Sequence, residues 1–406
     1  MTPRDEARPA AAQGDRIPAD LWVLIAAALC VALGFGLVAP VLPQFARSFD
    51  VSVTAASVVV SAFAFFRLVF APVGGSLVNK LGERRVYMTG LVIVAVSTLL
   101  TGLAQNYWQM LVFRALGGLG STMFTVSAAA LLVRLAPPAS RGRVTSYYAS
   151  AFLIGNIAGP IMGGLLGSLG MRLPFYIYAA ALLAATIVVA VFLREGGRRE
   201  PGHDELPPLT FSEAIREPQY VGALFGAFAN GWTSFGMRVA IVPLFAAQAF
   251  AHGAQIAGVS LACFAVGTAL VVLIAGRLAD SIGRKPLIVV GFLVTGASVG
   301  VLGFVGNEAL FVALSIIGGI GTGLLNPAEQ AVVADVIGNE RSGGNVMSSF
   351  QMAQDGGTIL GPIAAGVIVD HLGFDWAFGL SGALCLLVGL AWIGVPVRRA
   401  PSLEPA

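Results

Sequence analysis

The chain has 406 residues, of which 57% are hydrophobic and only 11% charged, and its mean hydropathy is +0.84. No soluble core hides that much apolar surface, so the composition places the chain in a bilayer and excludes an ordinary soluble enzyme. The net charge of +3 gives no nucleic-acid surface either, because the cations sit in short loops between apolar stretches.

Residues 1–20 are polar, rich in Ala and Pro, and carry Arg4, Arg8 and Arg16 ahead of an apolar run that begins at Leu21. That run exceeds the apolar region of a signal peptide, so it reads as an uncleaved first membrane helix behind a cytoplasmic tail. At about 20 apolar residues per crossing, the chain offers twelve spans. Those of the first half are 21–45, 54–78, 86–104, 107–132, 144–168 and 173–193. Those of the second half are 220–247, 255–279, 287–305, 309–334, 346–369 and 375–395. The expected organisation is an all-α membrane protein: a tail (1–20), a six-helix bundle (21–193), a charged cytoplasmic linker (194–218), a second six-helix bundle (219–396) and a tail (397–406). Among the loop cations, only Arg47 and Arg172 fall opposite the side shared by the chain ends. That bias puts both termini in the cytoplasm of a bacterial-type inner membrane. Tyr107 and Trp108 open the fourth span at the outer interface.

Cys30, Cys263 and Cys385 stand singly in apolar segments, with no C-x-x-C spacing, so neither a disulfide nor a metal site is expected. His203, His252 and His371 fall far apart in loops or at helix ends, and no catalytic constellation forms from them. The chain is therefore not expected to be an enzyme or to hold a cofactor. The glycine runs Gly117 to Gly120 and Gly318 to Gly323 follow no strand, so they read as packing glycines inside membrane helices rather than nucleotide loops. No Walker sequence is present, which excludes ATP as the energy source within this chain.

The second half repeats the first. Offset by about 200 residues, Pro43 pairs with Pro243, Gly75 with Gly276, Gly82 with Gly283, Gly117-Gly118 with Gly318-Gly319, and Gly159-Pro160 with Gly361-Pro362. Two parallel halves related by an axis along the membrane normal leave a cleft between them, which rocking opens to either side. The fifth span carries Gly155, Gly159-Pro160 and Gly163-Gly164, and the eleventh a thinned copy at Gly357, Gly361-Pro362 and Gly366. Glycines at this spacing let a neighbouring backbone approach, and the Gly-Pro pair bends a helix, so both are pivot candidates; packing alone is the plainer alternative.

These features resemble a family. The loop Gly75 to Arg85, with Gly82, Arg84 and Arg85, and its counterpart Gly276 to Lys285, with Asp280, Gly283 and Arg284, are similar to the G-x-L-a-D-R-x-G-R-R loop of the major facilitator superfamily. Leu111 to Gly120 resembles that family's intramembrane arginine motif, with Arg114 in place, and Gly155 to Gly164 resembles its g-x-x-x-G-P-x-x-G-G antiporter motif. The resemblance covers roughly residues 20–396, and it implies the twelve-helix fold of the drug:proton antiporter branch. It further implies that the first-loop acid braces cytoplasmic closure against a helix start in the other half. Asn79 replaces that acid, so the first-half latch loses about 0.3–1 kcal/mol of charge-dipole attraction, or Asn79 is functionally neutral. Asp280 keeps the acid in the second copy. The resemblance also implies a part in proton transfer for Arg114, against the alternative that it braces the cavity through backbone carbonyls.

Ionisable groups inside the spans cost about 2.5–3.5 kcal/mol each by insertion scales, which makes them functional candidates. They are Arg67, Arg114, Arg238, Glu329 and Asp355. Helical spacing aligns Arg114, Gly118, Ser121 and Thr125 on the fourth span and Asn230, Ser234 and Arg238 on the seventh. Thr322, Asn326 and Glu329 or Gln330 form a stripe on the tenth, and Gln351, Asp355 and Thr358 one on the eleventh. A proton-coupled carrier needs a carboxyl whose contact with arginine alternates. Asp355, beside the pivot, is the first candidate and Glu329, near the inner end of its helix and partly hydrated, the second. Alternatively, either acid is a fixed partner of Arg238, Arg114 or Arg67. Arg67 falls on no clear polar face and is assigned to the interface between halves. The function expected is proton-coupled export of amphipathic small molecules by a monomer in the lipid bilayer. Symport into the cell and ligand sensing without transport are the alternatives, the latter disfavoured by short tails without a signalling domain.

Overall fold

A computed structural model describes residues 18–136, 141–193, 207, 209–338, 341 and 343–396, without the side chains of Asn79, Val133, Arg141, Leu273 and Asp280. Most of the expected linker and nearly all of both tails lie outside the described residues. The first half comprises α1 (Ala19–Val38), α2 (Leu42–Arg47), α3 (Val53–Val69), α4 (Ala71–Leu81), α5 (Glu83–Leu103), α6 (Tyr107–Leu135), α7 (Arg141–Leu169) and α8 (Leu173–Phe192). The second comprises α9 (Phe211–Ala214), α10 (Pro218–Asn230), a π-helical segment (Gly231–Met237), α11 (Arg238–Ala249), α12 (Gly253–Ile282), α13 (Arg284–Leu302), α14 (Glu308–Ile337), α15 (Gly344–Leu372) and α16 (Phe374–Gly394).

Ten of these helices are long and apolar enough to cross a membrane singly, and the pair α3 and α4 makes an eleventh span bent by 46°. The remaining expected span, α10 through α11, runs on as helix, but the π segment divides it into pieces too short to qualify alone. The sequence places a bend at the Gly-Pro pairs. In the structure Pro160 and Pro362 lie inside the unbroken helices α7 and α15, and the sharp break falls at Phe70, just before Pro72. Proline at the second position of α4 has no helical partner to lose, so the chain turns there at little cost.

The helix ends repeat as the sequence does. Asn106 caps α6 by accepting from the Gln109 N–H at 3.0 Å, and Asn307 caps α14 from Leu310 at 3.1 Å. Gly82 and Gly283 turn the chain between spans with φ of 85° and 92°, a region glycine enters without strain. At this end of the bundle, here called the basic end, the half-equivalent ion pairs are charge-swapped: Glu83 with Arg134 at 2.8 Å, and Arg284 with Asp335. Arg84 donates to the Ala190 carbonyl and Lys285 to that of Val395, tying each loop to the last helix of its own half.

Close packing follows one plan in both halves. The face of α7 that carries Gly155, Gly159 and Gly163 lies on α1: a methyl placed on Gly159 would stand 2.5 Å from the Leu33 oxygen and 2.9 Å from the Gly36 Cα. The adjacent Gly164 faces the other half instead, against Ala254 and Gln255 of α12, where Gly258 abuts the Pro160 carbonyl. In the second half, Gly357 and Gly361 lie on Phe228 and Trp232, while Gly366 meets Thr54 and Ser57 of α3. The halves thus touch through α7 with α12 and α15 with α3. The contacts between halves at Gly164, Gly258 and Gly366 lie toward the far end, opposite the basic loops. At the basic end a methyl placed on Gly75, Gly142, Gly276 or Gly344 would meet no atom within 4 Å among the described residues, and most described side chains in the first turns of α7 and α15 are exposed, with Val144 and Val346 buried. The cleft therefore opens toward the basic end and is sealed at the far end.

Gly159→Leu is expected to overpack the α1–α7 contact and cost about 1–3 kcal/mol, read as a lower melting temperature of the purified protein. Gly75→Ala, with open space around it, should leave that temperature unchanged.

Candidate functional site

The polar stripe on α10, the π segment and α11 meets the polar stripe on α14. Because the two run antiparallel, each step of four along one helix meets a step of four along the other. Asn230 Nδ2 donates to Asn326 Oδ1 at 2.5 Å, Ser234 and Thr322 share a hydroxyl contact of 3.0 Å, and Arg238 faces Gly318. Thr295 of α13 lies 3.5 Å from the same Thr322 hydroxyl. Sequence spacing assigns these residues to an open substrate cavity. The structure finds Asn230, Ser234, Arg238 and Thr322 buried and Asn326 half-buried; Asn230 bonds Asn326 and Ser234 bonds Thr322, whereas Arg238 Nε and Nη1 find no partner among the described residues. The π segment lies at the centre of this seam, with Gly231 and Gly236 against α15. Such wide turns are uncommon and concentrate at functional sites.

Glu329 continues the seam toward the basic end, against Gly226 of α10 and near Phe292 of α13. The sequence expectation of a partly hydrated acid is corrected: Glu329 is 1% exposed, and its Oε1 has no hydrogen-bond partner. Gly226 and Phe292 meet at its carboxyl, and Tyr220, Leu325 and Trp392 belong to the same apolar cluster as Phe292. None of the three arginines pairs with it among the described residues.

Asp355 has a different setting. It accepts from Arg67 Nη2 at 2.7 Å, across the boundary between halves. This ion pair is one rung of a ladder along α3 and α15. Toward the far end, Ser61 donates to the Ile359 carbonyl at 2.7 Å, and Asp370 accepts from the backbone N–H groups of Val53 and Thr54 at 2.9 and 2.8 Å. The Thr54 hydroxyl adds a third bond to Asp370 at 2.5 Å. A carboxylate on the first turn of α3 satisfies orphan donors and meets the positive end of the helix dipole. The Arg67 side chain remains 38% exposed and that of Asp355 10%, so their pair marks the edge where the seal gives way to the open cleft. Asp370 and Ser61 escaped the sequence reading. Its signal was present nonetheless, since Asp355, Ile359, Gly366 and Asp370 recur at steps of four and seven on one helix face.

Arg114 is 6% exposed and lies 4.2 Å over the Phe63 ring, while Arg238 is 3% exposed and lies 3.7 Å over Phe264. Ser121 is half-buried, whereas Thr125 and Gln351 are exposed; Thr125 bonds the Ser121 carbonyl and Gln351 bonds Gln354. The side chains of Asn79 and Asp280, the expected latch, lie outside what the structure describes. At the basic end, Glu213 bonds Thr210 and reaches Arg341 at 3.5 Å. Its carboxyl is held below the usual range, chiefly by the Thr210 backbone N–H and then by the Thr210 hydroxyl. Among the described residues, no group of His, Cys, Asp and Glu is arranged to hold a metal.

Two long helical repeats meeting at glycine-lined crossings decide the family. The model of the Major Facilitator Superfamily matches residues 24–237 and 223–406. The chain belongs to the major facilitator superfamily. Within this transporter family it is similar to multidrug resistance protein 1 of Bacillus subtilis, with 26% identity over 92% of this chain and 96% of the relative. It is 27% identical to multidrug resistance protein 2 of the same organism, over 91% and 93% of the two chains. The fold is also that of a bacterial homologue of the human lysosomal transporter Spinster, solved in an inward-facing, occupied conformation. The two agree with a TM-score of 0.79 at 15% identity, over 94% of this chain and 98% of the other. The chain is thus a multi-pass integral membrane transporter for a small-molecule substrate.

Within this facilitator, Asp370→Ala removes three hydrogen bonds from the far-end seal, and the seal is expected to weaken about tenfold, or ~1.4 kcal/mol. Thiol labelling of a cysteine placed at the neighbouring Ala55, which leaves all three bonds in place, checks this: the background carrying Asp370→Ala should label faster from the far side than the Ala55→Cys background alone.

Proposed function

We propose that this carrier exports amphipathic small molecules from the cytoplasm in exchange for protons, by rocking one six-helix bundle (21–193) against the other (219–396). In this reading the basic end faces the cytoplasm of a bacterial-type plasma membrane, where loop cations are retained. The state described above is then inward-facing, and the carrier works as a monomer within the lipid bilayer. The names of its multidrug resistance relatives and the full glycine-proline motif on α7 support export.

One observation carries the coupling: the Arg67–Asp355 pair joins the two halves at the rim of the seal. While Asp355 is ionised, the pair opposes opening at the far end, so a carrier that has released its proton and holds no substrate is kept from returning empty. Protonating Asp355 removes one charge of the pair and unfastens the rim. Substrate entering from the cytoplasm has to do the same by other contacts, which makes the two ligands compete for one transition. Glu329, buried without a cation, is the second candidate for the proton. Asn79, Asp280 and the neighbouring loop glycines and arginines serve closure at the cytoplasmic end in the opposite state.

Reconstituted protein should move protons outward from acid-loaded vesicles only when an exported compound is present on the other side. In Asp355→Asn, proton-driven transport is expected to fall more than tenfold while substrate exchange without a gradient persists. Wild-type pH dependence in that variant would transfer the role to Glu329, and transport indifferent to a proton gradient would remove coupling altogether. Vesicles of known orientation distinguish export from uptake.

A further inference from the structure

Among the described residues, each half buries a guanidinium inside a span that joins no ion pair. Arg114 and Arg238 stack on Phe63 and Phe264, and those two rings are repeat mates at the same offset of about 200 residues. Neither arginine donates a hydrogen bond or joins an ion pair among the described residues. Arg114 Nε, Arg238 Nε and Arg238 Nη1 are buried with no partner. A ring face attracts the cation but leaves the donors in the guanidinium plane free.

The intramembrane acids do not answer these charges. Asp355 is engaged with Arg67 at 2.7 Å. Glu329 lies eleven residues along α14 from Gly318, which faces Arg238, a separation of about 16 Å along the helix. An unpaired cation in hydrocarbon is costly, and a buried charge left without its partner is strongly destabilising. Both arginines are buried in this state, Arg114 6% and Arg238 3% exposed, so a solute meets them only once the surrounding helices part. On α6 the exposed Trp108, Val112 and Leu116 mark the lipid face, and Arg114 lies round the helix from it, in line with Ser121 and Thr125. Arg238 extends the hydroxyl line of Ser234 and Thr322.

From this unmatched positive charge, we infer that the transported compound is an amphipathic organic anion. Its carboxylate or sulfonate acts as counter-ion to Arg114 and Arg238, and its aromatic part packs beside Phe63 and Phe264. In-plane guanidinium donors fit such planar acceptors two at a time. The word "transported" rests on the export reading above; the binding preference does not.

Three isosteres test it: 2-naphthoate, 2-naphthamide and 2-naphthylmethylammonium, titrated calorimetrically into the purified full-length protein. Naphthoate should bind at least about tenfold tighter than the other two. Arg114→Gln and Arg238→Gln should each lose most of that preference, and Arg238→Lys should retain part of it. Equal binding of the three compounds, no binding of naphthoate, or a preference that survives both Gln variants would overturn the inference. If a Gln variant fails to fold, the wild-type comparison and the Lys variant still decide. Anion-selective binding without counterflow in proteoliposomes leaves this inference standing and sinks the export reading. Counterflow that is indifferent to probe charge does the reverse.

Discussion

In hydrocarbon, helices gain nothing from hiding apolar side chains, so close backbone approach has to hold the bundle together. Glycine is the means in this chain, and its placement decides which helices meet. The doublet Gly163-Gly164 shows the logic: adjacent residues point about 100° apart on a helix, and one seats α1 while the other seats α12 of the opposite half. The same helix is therefore both a wall of its own bundle and a bearing for the other. Its repeat mate α15 has the same double duty, with Gly357 and Gly361 inward and Gly366 across the boundary. Larger residues at these places would separate the bundles and with them every polar contact between the halves.

Polar chemistry is laid over that frame in two different manners. Within the second half, hydroxyl and amide groups of α14 and its neighbour close on one another and leave little for a ligand. Between the halves, the bonds run from a carboxylate to a helix start, from a hydroxyl to a carbonyl, and from a guanidinium to a carboxylate. Contacts of the second kind must break for the molecule to change state, and each is individually modest. A seal made of several weak rungs opens in sequence, which keeps the barrier lower than a single strong bond of equal total strength.

Much of the architecture was readable from sequence, because membrane spans need little more than length and apolarity, and the repeat is written in glycine and proline. The ionisable residues were readable for the same reason: Arg67, Arg114, Arg238, Glu329 and Asp355 stand out against hydrocarbon. Their partners were not. Spacing along one helix cannot say which stripe on another helix it faces, so it places Asn230 and Asn326 along a cavity without showing that one donates to the other. Likewise, the position of Glu329 near a helix end suggests hydration, but Gly226 and Phe292 arrive from segments distant in sequence to cover its carboxyl. Arg67 lacked polar neighbours on its own helix because its partner lies on α15. The Gly-Pro pairs signal a bend; Pro160 and Pro362 lie inside helices that run on without a break, while the break of 46° falls at Phe70.

The π turns between α10 and α11 set the angular phase of everything beyond them. Each residue of an ordinary helix advances about 100° around the axis, so tightening the wide turns into regular ones would spin α11 about its own length without moving its ends far. Arg238 is the first residue past those turns, and it would sweep off the Phe264 face while Ser234 and Thr322 parted. A rotation of one half-helix is a smaller displacement than the tilting of a whole bundle, and Gly231 and Gly236 seat the turns that would rotate directly on α15.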